Sequence, residues 1–291
     1  MSAVMQKDAG GRIPGDVFVS HKENPMDVLG IGANMVKSLR YWLQAVGLTS
    51  EPDKGRRSQS LTELGKLIYE HDTYVEELGT LHLLQYRLSS NIELATSWYF
   101  FFNEFNQTEF DKDDFVRALT NYIYMNETQG DDDSGKKSVA IRSLSDDFVC
   151  IMGTYVPRYR TNPEKVSAEN NIDCPFGELG LVDVLDSRDR TFRKTIPAVS
   201  AFNPWVILAI IIDQAKGESS ISLNDLLNRP CNIGRTFNMD TICMMDVLRK
   251  VEQIGEIKII RTAGLDVVQI VNERSFRECV EMYYKDIEDI A

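Results

Sequence analysis

The sequence is poor in the residues that usually bind transition metals or transfer protons. It has three histidines, and its five cysteines are widely spaced with no C-x-x-C pair. This cysteine spacing argues against a structural zinc site. Unpaired thiols are typical of a reducing compartment, so we expect a cytoplasmic protein.

Long apolar runs are absent too. The longest, Trp205–Ile212, has eight residues, whereas a membrane-spanning helix needs about eighteen or more. No cationic segment followed by an apolar one opens the chain, so we expect no signal peptide. The motifs GxxxxGK[ST], GxGxxG after a strand and HExxH are missing as well, and we expect no bound nucleotide.

What the sequence does contain is an ordinary globular composition with an acidic balance. The 291 residues are 43% hydrophobic and 26% charged, and the net charge is −12. Such a charge disfavours indiscriminate adhesion to nucleic acid. The sign reverses locally, because residues 34–60 hold five cations against two acids, a net charge of +3.

This cationic stretch belongs to a pattern typical of a winged helix-turn-helix. A glycine turn leads into an amphipathic helix, for which Asn34 is the predicted N-cap and Gly47 the C-terminal glycine. A basic connector follows, and Thr62 is placed to cap the next helix. We expect a DNA-binding module here.

The last ninety or so residues repeat the same order of elements without repeating the sequence. We predict a helix, a short strand, two helices and a hairpin: Trp205–Ala215, Ser220–Leu223, Asn224–Asn228, Asp240–Ile254, and the strands Glu256–Arg261 and Val267–Val271. This order predicts a second winged helix.

The predicted fold class is mainly α with small β-hairpins, in which tandem winged helix-turn-helix modules are joined by a helical middle region. The predicted segments are a flexible arm (1–16), an N-terminal winged-helix module (17–72), a helical core region (73–156), an irregular connector (157–200) and a C-terminal winged-helix-like module (201–291). Val17–Ser20 is a predicted short strand.

The candidate DNA-binding side chains are cations and amides on the two modules, suited to phosphates and base edges. In the first module they are Asn34, Lys37, Ser38, Arg40, Tyr41, Lys54, Arg56, Arg57 and Gln59. In the second they are Arg235, Lys250 and Arg261. The alternatives are a solvated amphipathic helix with a basic loop, or modules that dock a protein or dimerise.

Strand scission commonly uses Mg²⁺ or Mn²⁺ held by clustered carboxylates. Asp183, Asp186 and Asp189 recur at a spacing of three, which suits one helical face or a loop, although solvated charge is the alternative. Glu256 and Lys258 match the E-x-K fragment of many metal-dependent nucleases. That match is short, and it falls on a predicted wing strand.

Several ordered motifs together resemble one bacterial family. They are Leu29–Val36 with Tyr41–Leu43, Leu61–Gly65, Gly79–Leu81, Ser97–Tyr99 with Phe102–Phe105, Asp173–Phe176 and Thr262–Leu265. The family is known only as a domain of unknown function, and its genes lie beside sulfur-transfer genes in DNA phosphorothioation and phage-defence operons. The resemblance covers nearly the whole chain. Departures include Ala33, where the family often has lysine.

The resemblance implies a DNA-nicking role beside a cysteine desulfurase, an ATPase and an ATP-pyrophosphatase-like sulfur-transfer enzyme. It supplies no catalytic motif that transfers to this chain residue by residue. The leading hypothesis is a nickase that binds duplex DNA, with a homodimer expected by analogy to winged-helix proteins. The alternative is a non-catalytic scaffold or regulator that recruits the sulfur-transfer enzymes to DNA.

Overall fold

The computed structural model describes residues 15–18, 24–51, 59–127, 140–156, 174–262 and 265–289. The fold is mostly helical and carries small antiparallel sheets. The predicted class, mainly α with small hairpins, is therefore confirmed at this level.

The N-terminal part holds two helices, a short strand pair and a third helix. These are α1 (Pro25–Leu29), α2 (Ala33–Ala45), β1 (Thr49–Ser50), β2 (Ser60–Leu61) and α3 (Glu63–His71). The Thr62 hydroxyl accepts a 2.9 Å hydrogen bond from the Gly65 N–H, which confirms the predicted cap of α3. The C-terminal glycine of α2 is confirmed as well, because Gly47 takes φ +73°.

Two local predictions in this part are wrong. Asn34 is not the N-cap of α2, because Gly32 takes the extended cap conformation and the helix starts at Ala33. The segment predicted as a strand begins instead with the 3-10 helix Gly15–Phe18. Its Phe18 packs beside Leu61, so a contact with a residue distant in sequence accompanies this conformation.

Four helices build the middle of the chain: α4 (Leu78–Ser89), α5 (Thr96–Asn103), α6 (Lys112–Glu127) and α7 (Ile141–Tyr155). The aromatic run in α5 lies in the core, with Phe101 and Phe102 at most 1% exposed. Aromatic side chains there pack edge to face, as for Phe101 against Phe102.

The segment predicted as an irregular connector contains regular structure in its described part. Strands β4 (Val182–Asp186) and β5 (Thr191–Lys194) form a hairpin, and β3 (Glu109–Phe110) pairs with β5. The strand order is β3-β5-β4. This sheet brings Lys194 next to the end of α5, far from it in sequence.

The C-terminal part follows the predicted order of elements. It comprises α8 (Pro204–Ala215), β6 (Ser220–Ser222), α9 (Leu223–Asn228), α10 (Ile233–Thr236), α11 (Thr241–Gln253), β7 (Ile257–Thr262), β8 (Leu265–Ile270) and α12 (Phe276–Glu288). All three strands are antiparallel in the order β6-β8-β7, so the hairpin β7–β8 follows α11 directly and its second strand pairs with β6.

One continuous hydrophobic core joins these parts, from Leu43 in α2 to Tyr284 in α12. The last helix packs against α8 and reaches α4, where the Thr80 and Tyr284 hydroxyls lie 2.8 Å apart. Gly79 makes this approach possible, because a Cβ there would lie 2.4 Å from the Tyr283 ring. Among the described helices, none is long and apolar enough to cross a membrane.

Candidate nucleic-acid interface

Helix α2 presents part of its predicted DNA-binding set to solvent. Asn34, Lys37 and Ser38 are exposed. Tyr41 is 37% exposed, and its hydroxyl donates to the Leu94 carbonyl. The first three side chains are therefore the ones on α2 with room to contact a large ligand.

Two other predicted residues of this module are used inside the protein. Arg40 forms an ion pair with Glu51, and its Nε donates a 2.7 Å hydrogen bond to the same carboxylate. Gln59 is 2% exposed and donates to the Arg40 carbonyl over 2.9 Å. Lys54, Arg56 and Arg57 lie outside the described residues.

Of the cations Lys250, Lys258 and Arg261 in the C-terminal part, one is engaged inside the protein and two are exposed to solvent. Lys250 donates hydrogen bonds to the carbonyls of Val199 and Phe202, so it fastens α11 to the segment before α8. Arg261 and Lys258 are exposed on β7. The hairpin β7–β8 thus presents two cations to solvent beside α11.

The three aspartates of the sequence prediction lie on the β4–β5 hairpin, and not on a helical face. Asp183 pairs with Arg193 at 3.0 Å. Asp186 accepts from the backbone N–H of Arg188 at 2.7 Å and so closes the turn. Asp189 is exposed at the turn itself.

The E-x-K pair is split between interior and surface. Glu256 is 4% exposed. Its two carboxylate oxygens accept from Arg274 at 2.8 Å and from Asn272 at 2.9 Å. The Lys258 side chain is exposed. Because both Glu256 oxygens are engaged internally, the carboxylate fastens the segment that leads into α12.

In the described part of the chain, no three histidine, cysteine or acidic side chains are grouped so as to hold a metal ion. Because Mg²⁺ in proteins is commonly held by one or two carboxylates with waters and substrate phosphates, this absence concerns only a site of three or more such protein ligands.

The structure reveals a polar cleft of about 400 Å³ at the beginning of α11. Strand β5, the loop after α5 and the helices α9 and α10 contribute to its walls. The polar lining comprises Asn106, Thr108, Lys194, Asn228, Arg235, Asn238, Asp240 and Thr241. A cavity of this size lies in the range of small-ligand sites.

Lys194 is the residue of this cleft whose pKa departs most from its ordinary value. Its Nζ donates to the carbonyls of Phe101 at 2.5 Å and Phe105 at 2.6 Å, and it lies 4.7 Å from the centroid of the Phe101 ring. Burial, together with the smaller effect of the positive charge of Arg235, lowers the pKa of Lys194 to about 7. The amine therefore exchanges its proton near neutral pH.

Arg235 lines the same cleft. Its Nε donates to the Asn228 carbonyl at 3.1 Å, and Nη1 donates to the Asn106 side-chain oxygen at 2.5 Å. Of the two cations, sequence reasoning found Arg235 and missed Lys194. Nothing local marks Lys194, because its environment is created by the pairing of β5 with β3.

These observations define a class of protein. It has a mainly helical body, a C-terminal helix–strand–helix–hairpin unit and a cleft lined by two cations. The chain belongs to the family described as "protein of unknown function (DUF4007)", which matches residues 3–284. A search of curated proteins finds no match.

Two solved structures share this fold. One, a magnesium-ion-bound SspB crystal structure, aligns with a TM-score of 0.77 at 24% identity, covering 99% of this chain and 83% of that one. The other, an SspB crystal structure, aligns with a TM-score of 0.74 at 23% identity, covering 99% and 90%. Magnesium is thus bound by a protein of the same fold.

Proposed function

We propose that this protein binds duplex DNA in a bacterial phosphorothioation and phage-defence system and nicks one strand, so that the backbone can receive sulfur. The proposal draws on membership of the family and on the fold shared with SspB. Its expected setting is the cytoplasm, and its expected partners are a cysteine desulfurase, an ATPase, an ATP-pyrophosphatase-like sulfur-transfer enzyme and a second copy of the chain.

The observation that carries DNA binding is the architecture of the C-terminal unit. Helix α8, strand β6, helices α9 to α11 and the hairpin β7–β8 follow each other as the elements of a winged helix do, and the strand order β6-β8-β7 supports the proposal that the hairpin is a wing. Helix α11 then corresponds to the recognition helix.

The exposed side chains of this unit fit such a role. On α11, Thr241 and Arg249 are exposed, and Ile242 is 75% exposed. On the wing, Lys258 and Arg261 are exposed and suited to phosphate contacts. Asp266 is exposed opposite Arg261 on the wing, and Arg249 pairs with Asp246, so Lys258 is the wing cation that has neither of these acidic neighbours.

The first module adds a second, smaller surface. Asn34, Lys37 and Ser38 remain exposed at the start of α2. We assign them to DNA backbone contacts together with Lys54, Arg56 and Arg57 of the basic connector. Tandem winged-helix modules would then contact one duplex at two places, which raises affinity without new kinds of contact.

A non-catalytic scaffold is the second candidate function. It is favoured by one observation: within the described ranges, no three potential metal ligands are grouped. A scaffold would bind the same DNA and bring the sulfur-transfer enzymes to it without cutting.

Supercoiled plasmid separates the two functions. Purified protein is incubated with plasmid and Mg²⁺, Mn²⁺ or a chelator, and a triple variant (Asp183→Asn, Asp186→Asn, Asp189→Asn) is purified identically as the control. Metal-dependent conversion to open circle by the wild type supports nicking. Its loss in the folded triple variant assigns it to the β4–β5 hairpin, whereas its persistence there removes that assignment.

Binding must be measured in parallel by fluorescence anisotropy of a labelled duplex. Wild-type protein that binds the duplex but never converts the plasmid would overturn nicking and leave the scaffold. Protein that does not bind duplex under low salt would overturn both functions.

A further inference from the structure

We propose that the cleft at the beginning of α11 binds a phosphate group, with Lys194 and Arg235 as its cations. The chemistry of this site stands on the cleft alone. That the phosphate belongs to a DNA backbone rests on the proposed function.

Lys194 has a donor left for such a ligand. An ammonium group has three N–H donors, and two of them bond to the carbonyls of Phe101 and Phe105. Within the described residues the ammonium has no carboxylate partner. A buried, uncompensated charge is unfavourable, and an incoming oxyanion would supply the missing counter-charge.

The guanidinium of Arg235 is held in place and has N–H donors available for a phosphate. Its contacts with Asn228 and Asn106 hold the guanidinium in place and leave further N–H donors of its five unused. No ion pair with a described acidic residue competes for it. A planar guanidinium of this kind matches two oxygens of a phosphate.

The charge balance of the lining favours a phosphodiester. Asp240 is the carboxylate among the lining residues, and its Oδ1 accepts a 2.8 Å hydrogen bond from the Cys243 N–H as the cap of α11. With Lys194 protonated, two cations and this one anion leave a single positive charge. A backbone phosphodiester carries a single negative charge, whereas a phosphate monoester carries more.

Pyridoxal 5′-phosphate is a suitable probe of the Arg235 half of the site, because its aldehyde reacts with the neutral form of Lys194 and its phosphate is then left with Arg235 as its cation. The Lys194 amine adds to the aldehyde and water leaves, forming an imine that borohydride reduces to a stable secondary amine. The depressed pKa of Lys194, about 7, leaves much of the amine neutral at pH 7.5. Mass spectrometry then measures labelling at each lysine.

The comparison is between this probe and pyridoxal, which lacks the phosphate. Pyridoxal closes to an internal hemiacetal and reacts more slowly with every amine, so for each probe the labelling of Lys194 is divided by that of the exposed Lys66. On this scale we expect Lys194 to be labelled roughly tenfold or more faster by pyridoxal 5′-phosphate, since charge-assisted hydrogen bonds to the phosphate are strong. Arg235→Ala should bring the ratio close to one, and Arg235→Lys should leave an intermediate value. Arg117→Ala, an exposed arginine on α6 that pairs with Asp114, is the matched control and should keep the wild-type ratio.

Equal labelling of Lys194 by the two probes on this scale, in folded wild-type protein, would overturn the phosphate site. So would an unchanged ratio in Arg235→Ala, and Arg235→Lys serves the same comparison if the alanine variant does not fold. Circular dichroism establishes folding in each case.

Protection experiments identify the source of the phosphate. Protection of Lys194 by a short duplex assigns the site to the DNA backbone, whereas protection by inorganic phosphate but not by duplex assigns it to a free phosphate compound. Failure of the proposed function is seen separately, as absence of duplex binding by wild-type protein. Protection by neither ligand would overturn the proposal.

Discussion

Oε1 of Glu256 accepts a 2.8 Å hydrogen bond from Nε of Arg274. The Glu256 side chain is 6% exposed and the Arg274 side chain 34% exposed, so the carboxylate end of this ion pair is shielded from solvent. The guanidinium also lies 5.5 Å from the centroid of the Trp205 ring, which joins the pair to α8. The pair is therefore a structural fastening between the start of β7, α8 and the segment before α12.

Replacing this carboxylate should cost stability. Glu256→Ala leaves the Arg274 and Asn272 donors without their acceptor, and we expect it to lower the free energy of unfolding by about 2–3 kcal/mol. Lys258→Ala, two residues away and exposed, should change it by less than about 0.5 kcal/mol. Urea unfolding checks both, and an unchanged midpoint for Glu256→Ala would contradict the structural role.

The contact between α4 and α12 should be sensitive to a single methyl group. A Cβ on Gly79 would lie 2.4–2.6 Å from atoms of the Tyr283 ring. We therefore expect Gly79→Ala to destabilise the fold by about 1–3 kcal/mol. Gly153→Ala is the control, because Gly153 is exposed in α7 with nothing within 4 Å of an added Cβ. It should gain about 0.5–1 kcal/mol from helix propensity, as measured by urea unfolding.

The sequence could predict local features of the fold, but not contacts between residues far apart in the chain. The cap at Thr62 and the strand predicted at Glu256–Arg261 depend on residues close together in the chain, so the sequence alone predicts them. The contact of Gly79 with Tyr283 joins residues far apart in the chain, and neither residue signals it. The same applies to Lys194, whose surroundings come from α5 through the pairing of β5 with β3. The cleft therefore had to be observed in the structure.

Buried His82 should make the protein less stable in mild acid. It is 1% exposed between the Phe202 and Phe237 rings, and burial lowers its pKa to about 4. Between pH 6.5 and 4 the unfolded chain binds a proton that the folded protein does not, so stability falls as the pH falls. We expect a loss of roughly 2 kcal/mol from pH 7 to pH 5.

The variant His82→Leu tests this assignment. It removes the titrating ring, so its urea midpoint should depend less on pH over the same interval. An equal acid-dependent loss in the variant would show that other groups cause it.

Lys194 should produce a dependence of the same sign, at higher pH. Its pKa of about 7 lies below the ordinary value of 10.5. From pH 7 upward the unfolded chain therefore holds a proton that the folded protein has released, and stability rises with pH. Lys194→Met lacks this effect. The free energy of unfolding of the wild type should therefore rise, relative to that of the variant, by about 1 kcal/mol per pH unit between pH 7.5 and 9.5. Parallel stability profiles would contradict the depressed pKa.

The salt dependence of duplex binding should identify which cations contact DNA. The slope of log affinity against log salt changes by about 0.9 for each phosphate contact. Lys258→Ala with Arg261→Ala removes two exposed wing cations, so we expect the slope to flatten by about two units. Arg40→Ala should destabilise the N-terminal part and leave the slope unchanged in the folded protein, because Arg40 is engaged by Glu51.

Arg56→Ala with Arg57→Ala provides the matching measurement on the first module, where we expect a flattening of roughly one to two units. Anisotropy titrations at several salt concentrations give all three slopes. If both double variants flatten the slope, the two modules contact the same duplex. If the wing pair leaves it unchanged, the hairpin β7–β8 is not a phosphate-binding wing. DNA contact would then be confined to the N-terminal module and the cleft of Lys194 and Arg235.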